Sequence, residues 1–176
     1  MRNDAPYRLA RMAHYVIART PPDQLGATKL NKVLWWVDCA AYRHWGASIS
    51  GLDTYIRLPN GPVPDGIREA LDLLKRSGCV VEQSRPTPAG SRREFIALKE
   101  PPVAEFSAEE IDLIGQVITA VCCMTAAEAS NASHDALWEE IPHLGLMPVA
   151  AGSVVTREVR PDDLAWAKSE IARLAV

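Results

Sequence analysis

The chain contains no glycine-rich phosphate loop, no dinucleotide glycine pattern, no nucleophile elbow and no His-Glu-x-x-His, so the common nucleotide, hydrolase and zinc-protease signatures are absent. It also lacks any apolar run long enough to span a bilayer, and its first six residues have no signal-peptide core. A cytoplasmic location without membrane contact is therefore expected. Positive charge is not in excess: the formal net charge is −3 and the sequence pI about 5.8, which gives no global attraction to phosphate. A nucleic-acid partner would need a local basic patch, and none is expected overall. Cysteine is sparse; Cys39, Cys79, Cys122 and Cys123 have no metal-ligand spacing and read as reduced, mostly buried thiols. The scattered His14, His44 and His143 add no paired ligand spacing, so no metal and no cofactor is expected.

What is present suffices for a core. With 48% hydrophobic and 23% charged residues in 176, the sequence reads as one globular domain over 1–176, without internal repeats. Arg outnumbers Lys and Ala is abundant, which suggests a bacterial source rich in G and C.

Aromatic residues make up only 6% of the chain, yet two of its five tryptophans are adjacent in one helical run from Thr28 to Gly46. At helical spacing Leu30, Val33, Leu34, Val37, Ala41 and Trp45 form a core stripe. Asn31, Trp35, Asp38 and Tyr42 form a second strip, and Lys29, Lys32, Trp36 and Arg43 a third. Trp35 and Trp36 point about a third of a turn apart and cannot share one core layer. The second strip is either a buried polar layer, with Asp38 satisfied by Tyr42 or Arg57, or a partner surface; Trp and Tyr suit both.

Around this helix, Leu9, Met12, Ala13 and Val16 predict a first helix ending at Thr20-Pro21-Pro22. Thr28 is the expected N-cap of the second helix and Gly46 its C-cap. Residues 47–64 read as irregular, with turn formers through Pro59-Asn60-Gly61-Pro62 and a rigid turn at Pro62 and Pro64. Asp65 opens a third helix through Ile67, Ala70, Leu71 and Leu74, stopped by Ser77-Gly78. Runs 79–84 and 93–98 form a hairpin. Capping boxes at Ser107–Glu110 and Thr125–Glu128 open two further helices, the first apolar enough to be expected at the centre. The second breaks near Ser133-His134 and resumes at Leu137-Trp138. Residues 141–160 read as loop with a short strand at Val154-Val155, and Pro161 opens a last helix packed through Leu164, Ala167, Ile171 and Leu174. The fold class expected is mainly α with a small β-hairpin (α+β), a single compact helical domain with a winged-helix-like element.

That element raises a DNA-binding reading, with Arg68, Lys75 and Arg76 on the third helix and Arg85, Arg92 and Arg93 on the wing. Glu69 and Asp72 on the same helix make its charge mixed. A Cys/His nucleophilic site from Cys122 or Cys123 with His134 is also conceivable. The local setting favours structural roles, with Ser133 as a cap and His134 hydrogen-bonded at a helix junction, because nothing nearby would activate a thiol. No enzymatic activity is expected.

Several pieces in order resemble the Panacea domain, the family of SocA-like antitoxins and phage-associated proteins. They are the run from Lys29 to Asp38 with Tyr42, then Gly61-Pro62-Val63, then Leu113 through Thr125 and Glu128, Ser133-His134 and Trp138. The resemblance covers about 8–142, with 143–176 as a C-terminal loop and helix in which Asp163 to Trp166 is also familiar. Tyr55-Ile56-Arg57 departs from the pattern, being separated from Gly61 by three residues. The resemblance implies a mainly helical domain that neutralises a cognate protein toxin by direct binding. In the SocA type it also implies delivery of the toxin to a ClpXP-type AAA+ protease. The contact residues expected are Lys32, Trp35, Trp36, Asp38, Tyr42, Arg43 and the Gly61-Pro62-Val63 turn.

Overall fold

The computed structural model describes residues 5–87, 90–154 and 173. Helix α1 (Ala5–Ala18) packs Leu9, Met12, Ala13 and Val16 inward and ends before the Pro21-Pro22 turn, as their spacing predicts. Helix α2 (Ala27–Trp45) is the hub, touching α1 before it and three helices and two strands after it. Leu30, Val33, Leu34, Val37 and Ala41 are all buried, but Trp45 is half exposed, because Gly46 in a left-handed conformation turns the chain away at that level. The start of α2 differs from expectation: Gly26, not Thr28, is the N-cap, with no side chain capping the helix. Gly26 is held extended by a bridge to Glu94, which sets where the helix can begin.

Residues 47–64 are more regular than their turn formers suggest. Strands β1 (Thr54–Leu58) and β2 (Gly61–Pro64) form a tight antiparallel pair with Tyr55 opposite Pro64 and Arg57 opposite Pro62. Pro62 and Pro64 are thus strand residues, tolerated because β2 is an edge and its missing N–H groups break no ladder. The other neighbour of β1 is β5 (Leu146–Pro148), which lies about ninety positions further along the sequence and pairs Leu146 with Ile56. This three-stranded sheet, in the order β2-β1-β5, was not apparent from local pattern.

Helix α3 (Ile67–Arg76) follows, with Gly66 rather than Asp65 at its start and Ser77 as its C-cap. Strands β3 (Val80–Thr87) and β4 (Gly90–Ala97) make the expected hairpin, longer than predicted at its tip. Both capping boxes form: Ser107 opens α4 (Ala108–Cys122) and Thr125 opens α5 (Ala126–Ala132). Helix α4 is not central, since only Ile114, Ile118 and Val121 on it are buried. After the break at Ser133-His134 come α6 (Ala136–Glu140) and the short α7 (Val149–Gly152). The fold is α+β, mainly helical with small antiparallel sheets. The expected strand at Val154-Val155 is not formed at Val154, and Val155 with the last helix lies outside the described residues. Among the described residues no single helix is long and apolar enough to cross a membrane.

Candidate partner-binding site

Three segments distant in sequence meet beside the first turns of α2: the helix itself, the β1–β2 turn and the α5–α6 junction. The turn is fastened by side chains of α5 and α6. Ser130 Oγ donates to the Asn60 carbonyl at 2.9 Å, and Trp138 Nε1 donates to the Leu58 carbonyl at 3.1 Å. In return Arg57 Nε donates to the Trp138 carbonyl at 3.0 Å, and its guanidinium carbon lies 3.8 Å from the indole centre. Tyr55-Ile56-Arg57 and Gly61-Pro62-Val63 thereby lie side by side on paired strands, with Leu58 closing β1 opposite Gly61 and Pro59-Asn60 forming the hairpin turn.

His134 stacks on the same indole, with ring centres 3.8 Å apart and planes 15° from parallel. A hydrogen bond with the Pro59 backbone holds it at the junction as expected, while its Nε2 is buried without a partner. Burial first, then the charges of Lys32 and Arg57, hold its pKa below the usual imidazole value. Ser133 behaves as a cap should, its Oγ donating to the Ser130 carbonyl at 2.7 Å.

Lys32 is the unusual member. It is 1% exposed, and among the described residues its ammonium makes no hydrogen bond and no ion pair. Burial alone lowers its pKa to about 8. The ammonium lies against the α-carbon of Gly61, where a β-carbon would collide with Lys32 Nζ and Ser133 Oγ; Gly61 also has φ +102°. Only glycine meets both conditions there. A pocket of about 230 Å³ opens beside Lys32, bounded by Thr28 and Asn31 of α2, the turn 58–60 and Val63. Across the first turn of α2 lies a second pocket of about 480 Å³, which Lys29, Arg92, Arg93 and Asp23 help to line.

The expected contact residues divide by burial. Trp35 and Asp38 are 1% and 0% exposed and have no surface to offer, so their expected place on a partner surface is corrected in favour of a core layer. Trp35 packs edge-on to Tyr55 with centres 5.0 Å apart, and Gly152 of α7 closes over its ring. Asp38 is satisfied by neither Tyr42 nor Arg57 but accepts from Ser50 N at 3.0 Å, from Ser50 Oγ and from Tyr55 OH at 2.7 Å. Burial still raises its pKa against those bonds. Gly61 and Pro62 are also buried, whereas Trp36, Tyr42 and Val63 are half-buried and Arg43 is exposed, its Nε donating to the Ser153 carbonyl at 2.8 Å. Arg57, His134 and Trp138 were not grouped with Lys32 from sequence; the ordered motif pieces were the one signal that could have joined them.

Four of the six basic residues named for α3 and the wing are ion-paired with acids. Lys75 pairs with Asp72 at 2.7 Å and Glu82 at 3.2 Å, Arg93 pairs with Glu82, and Arg92 and Arg85 both reach Glu94. Of the cysteines only Cys39 is buried; Cys79 and Cys122 are half-buried and Cys123 exposed, which corrects the expectation of mostly buried thiols. Burial raises the Cys122 thiol above its ordinary pKa, the opposite of what a nucleophile requires.

The arrangement is that of a small α+β domain with a small pocket set between a hub helix and a fastened turn. Residues 30–139 match the family described as Antitoxin SocA-like, Panacea domain, and the chain belongs to that family. No curated protein and no solved structure matches it.

Proposed function

We propose that this protein is an antitoxin that silences one protein toxin by direct contact rather than by catalysis. The observation that carries this reading is the family match over 30–139, which spans α2, the fastened turn and the α5–α6 junction together. The contact surface proposed is the part of α2 and β2 that keeps solvent-facing area: Trp36, Tyr42, Arg43 and Val63. Large aromatics with a rigid backing dominate binding energy at interfaces. The ion-paired wing supports a protein partner over nucleic acid, because its cations are already matched by Glu82 and Glu94.

The test is expression of the adjacent gene with and without this chain, followed by copurification. Growth arrest that is relieved by a copurifying pair supports the reading, whereas relief without a complex overturns contact as the mechanism. Trp36→Ala and Tyr42→Ala should each weaken neutralisation at least tenfold, in keeping with hot-spot losses of about 1.4 kcal/mol or more. Intact neutralisation by both folded variants would move the surface elsewhere. Delivery to a ClpXP-type protease is the finer proposal: toxin levels then fall only when both this protein and the protease are present, while simple occlusion leaves toxin stable and bound.

A further inference from the structure

We propose that the pocket between the first turn of α2 and the β1–β2 turn binds one small oxyanion, a carboxylate or a phosphate, through the ammonium of Lys32. The pocket has a floor that is hard to explain as packing alone. Lys32 is 1% exposed, it has no hydrogen-bond or ion-pair partner among the described residues, and it lines the cavity. A buried ammonium ordinarily finds a carboxylate. Here burial alone acts on Lys32, and Asp135, the acid that acts on the neighbouring His134, is committed as the N-cap of α6 through Trp138 N at 2.9 Å. Even with its lowered pKa of about 8, Lys32 is mostly protonated at neutral pH.

The surroundings suit an anion as well. The start of α2, nineteen residues long, has no side-chain cap, and Thr28 and Asn31 on its first turns border the cavity with polar groups. An unpaired ammonium then lines a space beside the first turn of a long helix, the end where the helix dipole is positive. At about 230 Å³ the pocket is smaller than the roughly 300–1,000 Å³ of sites for drug-sized ligands. It fits a single side chain or an inorganic anion, not a nucleotide.

The proposal is tested on the full isolated chain, independently of whether the antitoxin reading holds. Inorganic phosphate and acetate are added at neutral pH against sodium chloride of equal ionic strength. The readouts are the Lys32 side-chain NMR signal and the thermal midpoint. The expected result is a saturable shift of the Lys32 signal with either oxyanion and a rise in midpoint beyond that in chloride. Lys32→Met should lose the rise, apart from the general salting-out effect that phosphate exerts on any fold. Thr28→Glu, one helical turn from Lys32, supplies a resident carboxylate; its midpoint should rise and its phosphate response vanish. No shift of the Lys32 signal at tens of millimolar oxyanion, or an equal phosphate response in wild type, Lys32→Met and Thr28→Glu, would overturn the proposal. In the complex with the neighbouring gene's product, a Lys32 signal already shifted and unresponsive to phosphate identifies the source as a partner carboxylate. A response that persists there identifies a free anion.

Discussion

Two charged side chains are buried on α2, and their situations are opposite. Asp38 accepts three hydrogen bonds, from Ser50 N, Ser50 Oγ and Tyr55 OH, while Lys32 makes none among the described residues. The lowered pKa of Lys32, about 8 against an ordinary 10.5, corresponds to about 3 kcal/mol of burial cost at neutral pH. Between pH 8 and 10.5 the unfolded chain holds the lysine proton and the folded chain has lost it, so this contribution makes stability rise with pH. Urea unfolding of the wild type should show that rise across pH 8 to 10, and Lys32→Met should lack it. At pH 7, Lys32→Met should be more stable than wild type by about 1–3 kcal/mol, since a well-packed apolar side chain replaces an uncompensated charge. A variant less stable at pH 7 would mean that the ammonium has a compensating partner. Nothing in the local sequence distinguishes Lys32 from its neighbour Lys29, which reaches the Cys122 carbonyl at 3.3 Å. Their difference arises from the turn that covers only one of them.

At the scale of elements, legibility followed the range of the interactions. The capping boxes at Ser107 and Thr125 and the left-handed Gly46 could be read because each is complete within four residues. The sheet β2-β1-β5 could not, since Gly61-Pro62-Val63-Pro64 has no alternating pattern and β5 has only three residues. Those strands exist because partners elsewhere hold them, which is visible in how the β1–β2 turn is tied. Trp138→Phe tests this directly: the ring remains to meet His134 and Arg57, but the donor to the Leu58 carbonyl is lost. The expected cost is about 1–2 kcal/mol in urea unfolding. A larger loss would show that the indole's second ring matters more than its N–H. Gly61→Ala should cost at least as much, about 1–3 kcal/mol, because the left-handed backbone and the contact with Lys32 Nζ are disturbed together.

For the molecule as a whole, the ordering of elements around α2 predicts an uneven stability. Leu30, Val33, Leu34, Trp35, Val37 and Asp38 lie at or below 1% exposure, and α2 touches α1, α4, α5, α7, β2 and β4. The amides of this stretch can exchange with solvent only when the whole assembly opens. The wing is different. From Gln83 outward β3 is exposed apart from Thr87 at the tip, and on β4 it is Glu94 and Phe95 that are buried, near the base where Gly26 bridges to Glu94. Its cross-strand pairs Arg93–Glu82 and Arg85–Glu94 each have one partner more than half exposed, and such pairs contribute about 1 kcal/mol or less. Hydrogen exchange should therefore separate the two. Amides in the middle of α2 should be protected to the full free energy of unfolding, and those of β3 beyond Ser84 should open locally with several kcal/mol less protection. Raising the salt concentration should lower wing protection and leave that of α2 unchanged, because the wing pairs are screened and the core is not. Equal protection in both would mean that the wing is held by more than the hairpin itself. Selective gain of wing protection on addition of the toxin would place it within the bound surface.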